Sequence, residues 1–143
     1  MTTKQKTVII MRGISGAGKS TWIKNNVPDA VVCSADLWFS RGGTYKFVPS
    51  QLGAAHNSCV EAFKKALADD SDVIVVDNTN LLRKHYKIYL DLASKAGYTV
   101  FQKCLKTRFV NAHGVPESKV DEMAQSFQTD DTLPEYPGKE AVV

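Results

Sequence analysis

A glycine-rich turn between an apolar run and a helical stretch constrains this chain more than any other feature. The run Thr7 to Met11 is apolar and β-branched, as in a strand buried on both faces. The pattern G-x-x-x-x-G-K-S follows from Gly13 to Ser20 and opens a helix predicted over 19–26. Glycines let successive backbone N–H groups point inward, and the helix dipole adds positive potential there. We therefore predict a phosphate-binding loop at residues 13–20.

Two side chains of the phosphate-binding loop add chemistry that its backbone lacks. Lys19 can neutralise charge on the β and γ phosphates of a nucleotide, and the Ser20 hydroxyl can ligate magnesium. The order of glycines, lysine and hydroxyl between a strand and a helix argues against a turn that only caps a helix. We expect ATP and Mg²⁺ to bind here. The expected nucleotide-binding residues are Gly13, Ile14, Ser15, Gly16, Ala17, Gly18, Lys19, Ser20 and Thr21.

The rest of the chain alternates between strand and helix patterns. Apolar runs predict strands over 30–33, 72–77 and from Tyr98 to Phe101. Helical spacing predicts a helix capped by Ser50, a second over 81–96 and a last one that begins at Pro116, with an ordered loop over 37–49. This alternation predicts an α/β fold, with a small parallel sheet of about four strands and helices on both faces. The site should then lie at the carboxyl ends of the strands.

Length and charge exclude several classes of protein. The 143 residues fit one domain, expected over 1–130, followed by a polar C-terminal tail over 131–143. A net charge of +3 disfavours an extended non-specific duplex binder but leaves room for a local phosphate site. Cys33, Cys59 and Cys104 are too far apart for a disulfide framework or a zinc site. The N-terminal apolar run is too short for a signal or a membrane span, so we expect no membrane contact and a cytoplasmic location.

Two aspartates follow predicted strands and are candidates for the chemistry. Asp36 comes after the second strand, where a carboxylate could take a proton from an attacking hydroxyl. Its alternative role is a turn or helix cap. Asp77 ends the third strand after four apolar residues, a pattern that often places a carboxylate near magnesium, although a strand-end turn is the alternative.

Six motifs occur along the chain in a fixed order. They are the phosphate-binding loop with Thr21-Trp22, Ser34-Ala35-Asp36, Gly43-x-Tyr45-x-Phe47-x-Pro49, Ala55-His56-x-x-Cys59, Val76-Asp77-Asn78-Thr79-Asn80-Leu81 and His113-Gly114-Val115-Pro116. Through them, residues 7–128 resemble the kinase domain of phage polynucleotide kinases and the wider polynucleotide-kinase-like P-loop family. The resemblance implies transfer of the γ-phosphoryl group of ATP to the 5′ hydroxyl of DNA or RNA, with Asp36 as general base. It also implies nucleic acid repair and a single-stranded or end-exposed partner with a 5′-OH.

The chain departs from this family at two positions. Phe39 stands three residues after Asp36, where phage polynucleotide kinases carry an arginine for the acceptor phosphate, and Arg41 is the candidate replacement. Val110 stands where relatives usually have arginine, so Arg108 is the candidate lid residue that stabilises the transferred charge. Aromatic side chains of the loop could stack on bases or could pack over the sheet edge. The candidate acceptor-binding residues are Arg41, Trp38, Tyr45 and Asn78.

Other functions fit the same phosphate-binding loop. A kinase for a small-molecule hydroxyl, such as a nucleoside or nucleotide, would use the same fold and base. Phe39 in place of the arginine leaves room for that hypothesis. A non-enzymatic ATP-binding module is a third possibility, and the intact Lys19, Ser20 and Asp36 count against it.

Overall fold

Four apolar runs form the sheet of the protein. The structure is a computed structural model, which describes residues 6–13, 18–40, 43, 46–105 and 130–136. Within these residues the strands are β1 (Thr7–Gly13), β2 (Val31–Cys33), β3 (Val73–Asp77) and β4 (Thr99–Leu105). They form one parallel sheet in the order β2-β3-β1-β4. The predicted parallel α/β sheet is confirmed, and its carboxyl ends meet at one edge.

Helices lie between the strands along the chain. They are α1 (Lys19–Asn26), α2 (Asp36–Phe39), α3 (Leu52–Ala68) and α4 (Lys87–Lys95), with 3₁₀ turns at Pro49–Gln51 and Arg83–His85. The longest of them, α3, has 17 residues, and no helix in the described part of the chain is long and apolar enough to cross a membrane.

The central strand β1 is covered on both faces because its side chains alternate. Val8 and Ile10 pack in a cluster with residues of α3 and α4, such as Phe63. Ile9 and Met11 pack on the other face with residues of α1 and β3. All four of these β1 side chains are fully buried, at 0% exposure. Helices therefore flank the sheet on both faces, as predicted.

Several boundaries differ from the sequence prediction. The loop predicted over 37–49 contains most of the short helix α2. Ser50 does not cap α3, because it lies inside a 3₁₀ turn that starts at Pro49, and Gln51 is the residue before the helix. The helix predicted over 81–96 is interrupted, since Tyr86 has φ −124° and ψ 3° between the second 3₁₀ turn and α4.

Residues 130–136 lie along the outer edge of β4, although the sequence suggested a polar tail from residue 131. The Gln102 N–H donates to the carbonyl of Pro134 at 2.9 Å, and the Tyr136 N–H donates to that of Gln102 at 2.8 Å. The Tyr136 ring packs edge-on against Trp22 and Phe101, with centroids 5.7 and 5.5 Å apart. The helix predicted from Pro116 lies outside the described residues.

Candidate active site

The phosphate-binding loop connects β1 to α1, as the sequence predicts. Gly13 is the last residue of β1, and Gly18 precedes α1 with φ +90°, a left-handed conformation that favours glycine. The Lys19 ammonium reaches back to donate a hydrogen bond to the carbonyl of Gly13, with Nζ and O 2.9 Å apart. The lysine side chain therefore contacts the last residue of β1, where the loop begins. Ile14, Ser15, Gly16 and Ala17 are outside the described residues.

Two carboxylates act electrostatically on the Lys19 ammonium. Burial lowers the pKa of Lys19, and the negative charges of Asp77 and Asp36 oppose that shift. Asp77 ends β3, Asp36 begins the helix that follows β2, and Lys19 begins the helix that follows β1. The structure brings together three of the residues that the sequence singled out, from β3, α1 and α2, at the carboxyl edge of the sheet.

Asp36 is the first residue of α2, and it is exposed. Its backbone N–H donates to the Ser34 hydroxyl at 3.2 Å, and the residue before the helix is Ala35, which makes no side-chain cap. The Ala35 N–H donates to Oδ1 of Asn78 at 2.9 Å, which ties the start of α2 to the end of β3. The structure thus places the Asp36 carboxylate near Lys19 and open to solvent.

Asp77 and Ser20 line one cavity of about 280 Å³. Asp77 is the last residue of β3, and Ser20 is exposed in the first turn of α1, beside an equally exposed Thr21. The other lining residues are Ile23, Lys24, Pro28 and Val32. A hydroxyl and a carboxylate are the hard oxygen ligands that Mg²⁺ prefers. The donor set therefore fits a magnesium ion, which Ser20 and Asp77 would hold.

The surface beside Asp36 is apolar. Leu37 is 57% exposed and Phe47 is 51% exposed. Phe39 is buried, and its ring packs on Phe47 with centroids 5.0 Å apart. Trp38 is half-buried, and its indole N–H donates to Oε1 of Gln51 at 3.2 Å. Of the other candidates, Arg41, Tyr45 and Arg108 lie outside the described residues.

Comparison with known proteins identifies the family. A family model described as an AAA domain matches residues 8–129. The chain belongs to this family. NEDD4-binding protein 2 from Homo sapiens is 32% identical over 139 residues, covering 85% of this chain and 8% of that protein. The chain thus spans a small fraction of the length of this relative.

Solved structures share the fold of this AAA-domain protein. A chain of the Pnkp1/Rnl/Hen1 RNA repair complex has a TM-score of 0.65 at 14% identity, covering 88% of this chain and 45% of its own. A chain of the PezAT toxin-antitoxin system of Streptococcus pneumoniae has a TM-score of 0.53 at 20% identity, covering 73% and 48%. The predicted P-loop kinase fold and the family resemblance are confirmed.

Sequence reasoning missed a buried arginine directly before the phosphate-binding loop. Arg12 has no exposed surface. Its guanidinium donates to the carbonyls of Asn80 and Leu81 at 2.8 and 3.0 Å, and it lies 4.9 Å from the centre of the Tyr86 ring. A single arginine inside an otherwise apolar strand was the available signal, because a buried charge needs dedicated partners. Arg12 fixes β1 to the segment that follows β3.

A second missed residue, Asp130, anchors the C-terminal segment. Its carboxylate accepts hydrogen bonds from Tyr86 and Arg83, each at 2.6 Å, and from the Thr132 N–H at 3.0 Å. Burial by itself would raise the pKa of Asp130, but hydrogen bonds from Thr132, Tyr86 and Arg83 outweigh it and hold the pKa below its ordinary value. The side-chain amide of Gln102 donates to the backbone carbonyl of Asp130 at 2.6 Å and accepts from the Arg12 guanidinium at 3.1 Å. Gln102 therefore links Asp130 to Arg12.

Proposed function

We propose that this protein is an ATP-dependent kinase that transfers the γ-phosphoryl group to the 5′ hydroxyl of DNA or RNA, in cytoplasmic nucleic acid repair or end modification. The observation that carries the proposal is the placement of Lys19, Asp36 and Asp77 after or at the carboxyl ends of β1, β2 and β3, at one edge of the sheet. A phosphate-binding cation, a second carboxylate for an ion and an exposed potential base are the parts that phosphoryl transfer needs. The P-loop kinase fold supports the same reaction class.

The phosphate-binding loop binds the ATP that donates the phosphoryl group. Backbone N–H groups of residues 13–20 bind the triphosphate, and Lys19 neutralises charge on its β and γ phosphates. Ser20 and Asp77 would hold Mg²⁺, which when bound would supply further charge neutralisation on the phosphate oxygens. Because Lys19 is shielded from water, its charge acts on the phosphates more strongly than an exposed lysine would.

Asp36 is the proposed general base. It is exposed, so an acceptor hydroxyl can approach it from solvent while the triphosphate occupies the loop. The carboxylate takes the hydroxyl proton as the oxygen attacks the γ phosphorus, while the bond from that phosphorus to the β–γ bridging oxygen breaks and ADP leaves. Arg108 is the proposed lid residue that stabilises charge on the transferring group.

The apolar surface beside Asp36 is the proposed contact for the acceptor. Leu37 and Phe47 are large, apolar and exposed, and Trp38 lies on the same short helix as Leu37. Bases of a single strand pack on such side chains without sequence preference. Arg41 and Tyr45 remain the further acceptor candidates. The fourth candidate, Asn78, already accepts a hydrogen bond from the Ala35 N–H through its Oδ1. The fold shared with a chain of an RNA repair complex supports a nucleic acid end as acceptor.

A kinase for a small-molecule hydroxyl is the second candidate, and one observation favours it. Phe39 is buried against Phe47 at the position where the polynucleotide kinase resemblance places a phosphate-binding arginine. That position therefore offers the acceptor no positive charge. Such an enzyme would accept a nucleoside as readily as an oligonucleotide.

Labelled phosphate transfer separates the two candidates. ATP labelled at the γ phosphate is offered to 5′-OH oligonucleotides, nucleosides and small alcohols, and kcat/KM is compared across acceptor lengths. We expect a decamer to exceed the nucleoside by roughly tenfold or more, since each stacked base contributes about 1–3 kcal/mol. Equal values would favour the small-molecule kinase. Binding of Mg-ATP without any transfer would favour a non-enzymatic module.

A further inference from the structure

The turn after β3, residues 77–80, contacts the strand that leads into the phosphate-binding loop. The side-chain Nδ2 of Asn80 donates to the carbonyl of Met11 at 2.7 Å, and the Gly13 N–H donates to the carbonyl of Thr79 at 3.0 Å. The Arg12 guanidinium donates to the carbonyl of Asn80 at 2.8 Å. The last three residues of β1 are therefore bonded to this one turn.

Asn80 has a conformation that restricts which residue can stand there. Its φ is +47°, in the left-handed region, and it is only 2% exposed. Glycine and asparagine adopt this conformation at low cost, whereas most side chains do not. Of these two residues, only asparagine also brings an amide that can donate to Met11. The position thus combines a backbone requirement with a side-chain requirement.

The same turn contacts the helix that carries Asp36. Oδ1 of Asn78 accepts the hydrogen bond from the Ala35 N–H at 2.9 Å, one residue before Asp36. The helix α2 has four residues, too few to be stable by itself, so contacts from outside must hold it. The Asn78 amide nitrogen makes a second, weaker contact with Sγ of Cys59 at 3.6 Å.

We propose that Asn78 and Asn80 are positioning residues that hold the Asp36 helix and the phosphate-binding loop in a fixed relation to each other. Asn80 acts on the loop through Met11, and Asn78 acts on Asp36 through Ala35. The catalytic part of this inference rests on the proposed kinase function. Because both asparagines belong to one turn, the distance between the base and the nucleotide is set by that turn.

Substitutions at the two asparagines should affect different steps. Loss of the Asn80 amide loosens the strand before the loop, so affinity for Mg-ATP should fall. Loss of the Asn78 acceptor loosens α2, so the transfer rate should fall while Mg-ATP affinity stays the same. A purely structural role would lower stability and would not separate affinity from rate.

The Asn80 arm is tested with Asn80→Gly, which keeps the left-handed backbone and removes the amide. We expect the Kd for Mg-ATP, measured by calorimetric titration, to rise roughly 5- to 20-fold as a buried hydrogen bond is lost. Asn80→Asp keeps the shape without the donor and serves if the glycine variant does not fold. Unchanged Mg-ATP affinity in a folded variant would overturn this arm.

The Asn78 arm is tested with Asn78→Ala against Asn78→Asp, which keeps an oxygen acceptor for Ala35. In the alanine variant we expect single-turnover transfer to fall about 10- to 100-fold through misplacement of Asp36, with Mg-ATP affinity within twofold. The aspartate variant should recover most of the rate. Cys59→Ala removes the other contact of the Asn78 amide and should leave the rate within a few-fold.

Amide exchange at Ala35, followed by NMR, gives a readout that needs no acceptor. It should accelerate in Asn78→Ala and stay slow in Asn78→Asp and Cys59→Ala. If wild-type protein phosphorylates no acceptor, the proposed function fails, while Ala35 exchange and Mg-ATP affinity still decide the positioning roles. Equal effects of Cys59→Ala and Asn78→Ala on exchange would show that core packing, not the Ala35 contact, holds α2.

Discussion

The two sides of the candidate site are held in place by unequal means. On the phosphate side, β1 is buried along its whole length and α1 adds the buried Trp22 and Ile23. On the Asp36 side, α2 has four residues, Asp36 itself is exposed, and the neighbouring Leu37 is 57% exposed. A deep core fixes the first side, and a few contacts, including the one from Asn78, hold the second.

Under the proposed function, this contrast matches what each side recognises. A triphosphate is the same in every turnover, so a site anchored in a deep core can be pre-formed for it. Acceptors differ in their bases and ends, and a thinly held apolar surface can adapt to them. We therefore expect changes on the Asp36 side to alter chemistry or acceptor use, and changes on the phosphate side to alter nucleotide binding as well.

The largest effect is expected from Asp36→Asn. The amide keeps the shape of the side chain but cannot take a proton near neutral pH, so kcat should fall roughly 10²- to 10⁴-fold. Mg-ATP affinity should stay within a few-fold, because the triphosphate is bound by the other side. The matched control is Asp91→Asn, an exposed aspartate on α4. A drop of less than tenfold in a folded Asp36 variant would move the role of base to Asp77.

A somewhat smaller loss is expected from Lys19→Ala, with a different pattern. Removing the shielded ammonium deletes a stabilising charge at the transferring phosphate, so transfer should fall by about 10²- to 10³-fold. Unlike the Asp36 variant, it should also bind Mg-ATP more weakly. The melting temperature should not fall, since the ammonium is desolvated in the fold. Lys95→Ala, at the end of α4, is the control. Near-normal turnover would reject the role of the phosphate-binding loop.

Asp130→Asn tests how strongly the C-terminal segment supports the phosphate side. The variant weakens buried hydrogen bonds from Tyr86 and Arg83, and the Arg83 side chain is 42% exposed. We therefore expect a loss of about 1–3 kcal/mol in the free energy of unfolding at pH 7. Chemical denaturation measures it, with the exposed neighbour Asp131→Asn as control. Mg-ATP affinity should fall, whereas relative acceptor preference should not.

Acid titration of the wild-type protein and the Asp130→Asn variant tests whether the lowered pKa of Asp130 causes the stability difference. The pKa of Asp130 is lowered in the folded state, so the unfolded state takes up its proton first as the pH falls. The contribution of this carboxylate is fully present above about pH 4 and is lost on further acidification. The wild-type and Asp130→Asn stabilities should therefore converge below about pH 4. A difference that stays constant down to pH 2 would contradict the assigned cause.

The same contrast explains which parts could be predicted from sequence. The bounds of α1, Lys19–Asn26, follow from local chemistry, namely a glycine turn before the helix and Pro28 after it. The helix α2 was predicted as loop, because its support from Asn78 comes from 43 residues away. The docking of Asp130 was missed for the same reason, since its partner Tyr86 is 44 residues distant. Contacts between distant residues leave no local pattern.

The smallest expected effect, Leu37→Ala, addresses the acceptor directly. Leu37 is 57% exposed, so its truncation should change the free energy of unfolding by less than about 0.5 kcal/mol. If a base of the acceptor covers this side chain, the lost apolar contact should lower kcat/KM for a decamer by about 2- to 8-fold. Mg-ATP affinity should not change, and neither should the rate with a nucleoside too short to reach Leu37. Ile88→Ala on α4, where the side chain is 46% exposed, is a control of similar exposure.

Steady-state transfer to both acceptors tests whether Leu37 contacts the acceptor. An unchanged decamer rate would remove Leu37 from the acceptor surface. Equal losses with both acceptors would point to a shared small-molecule contact beside Asp36.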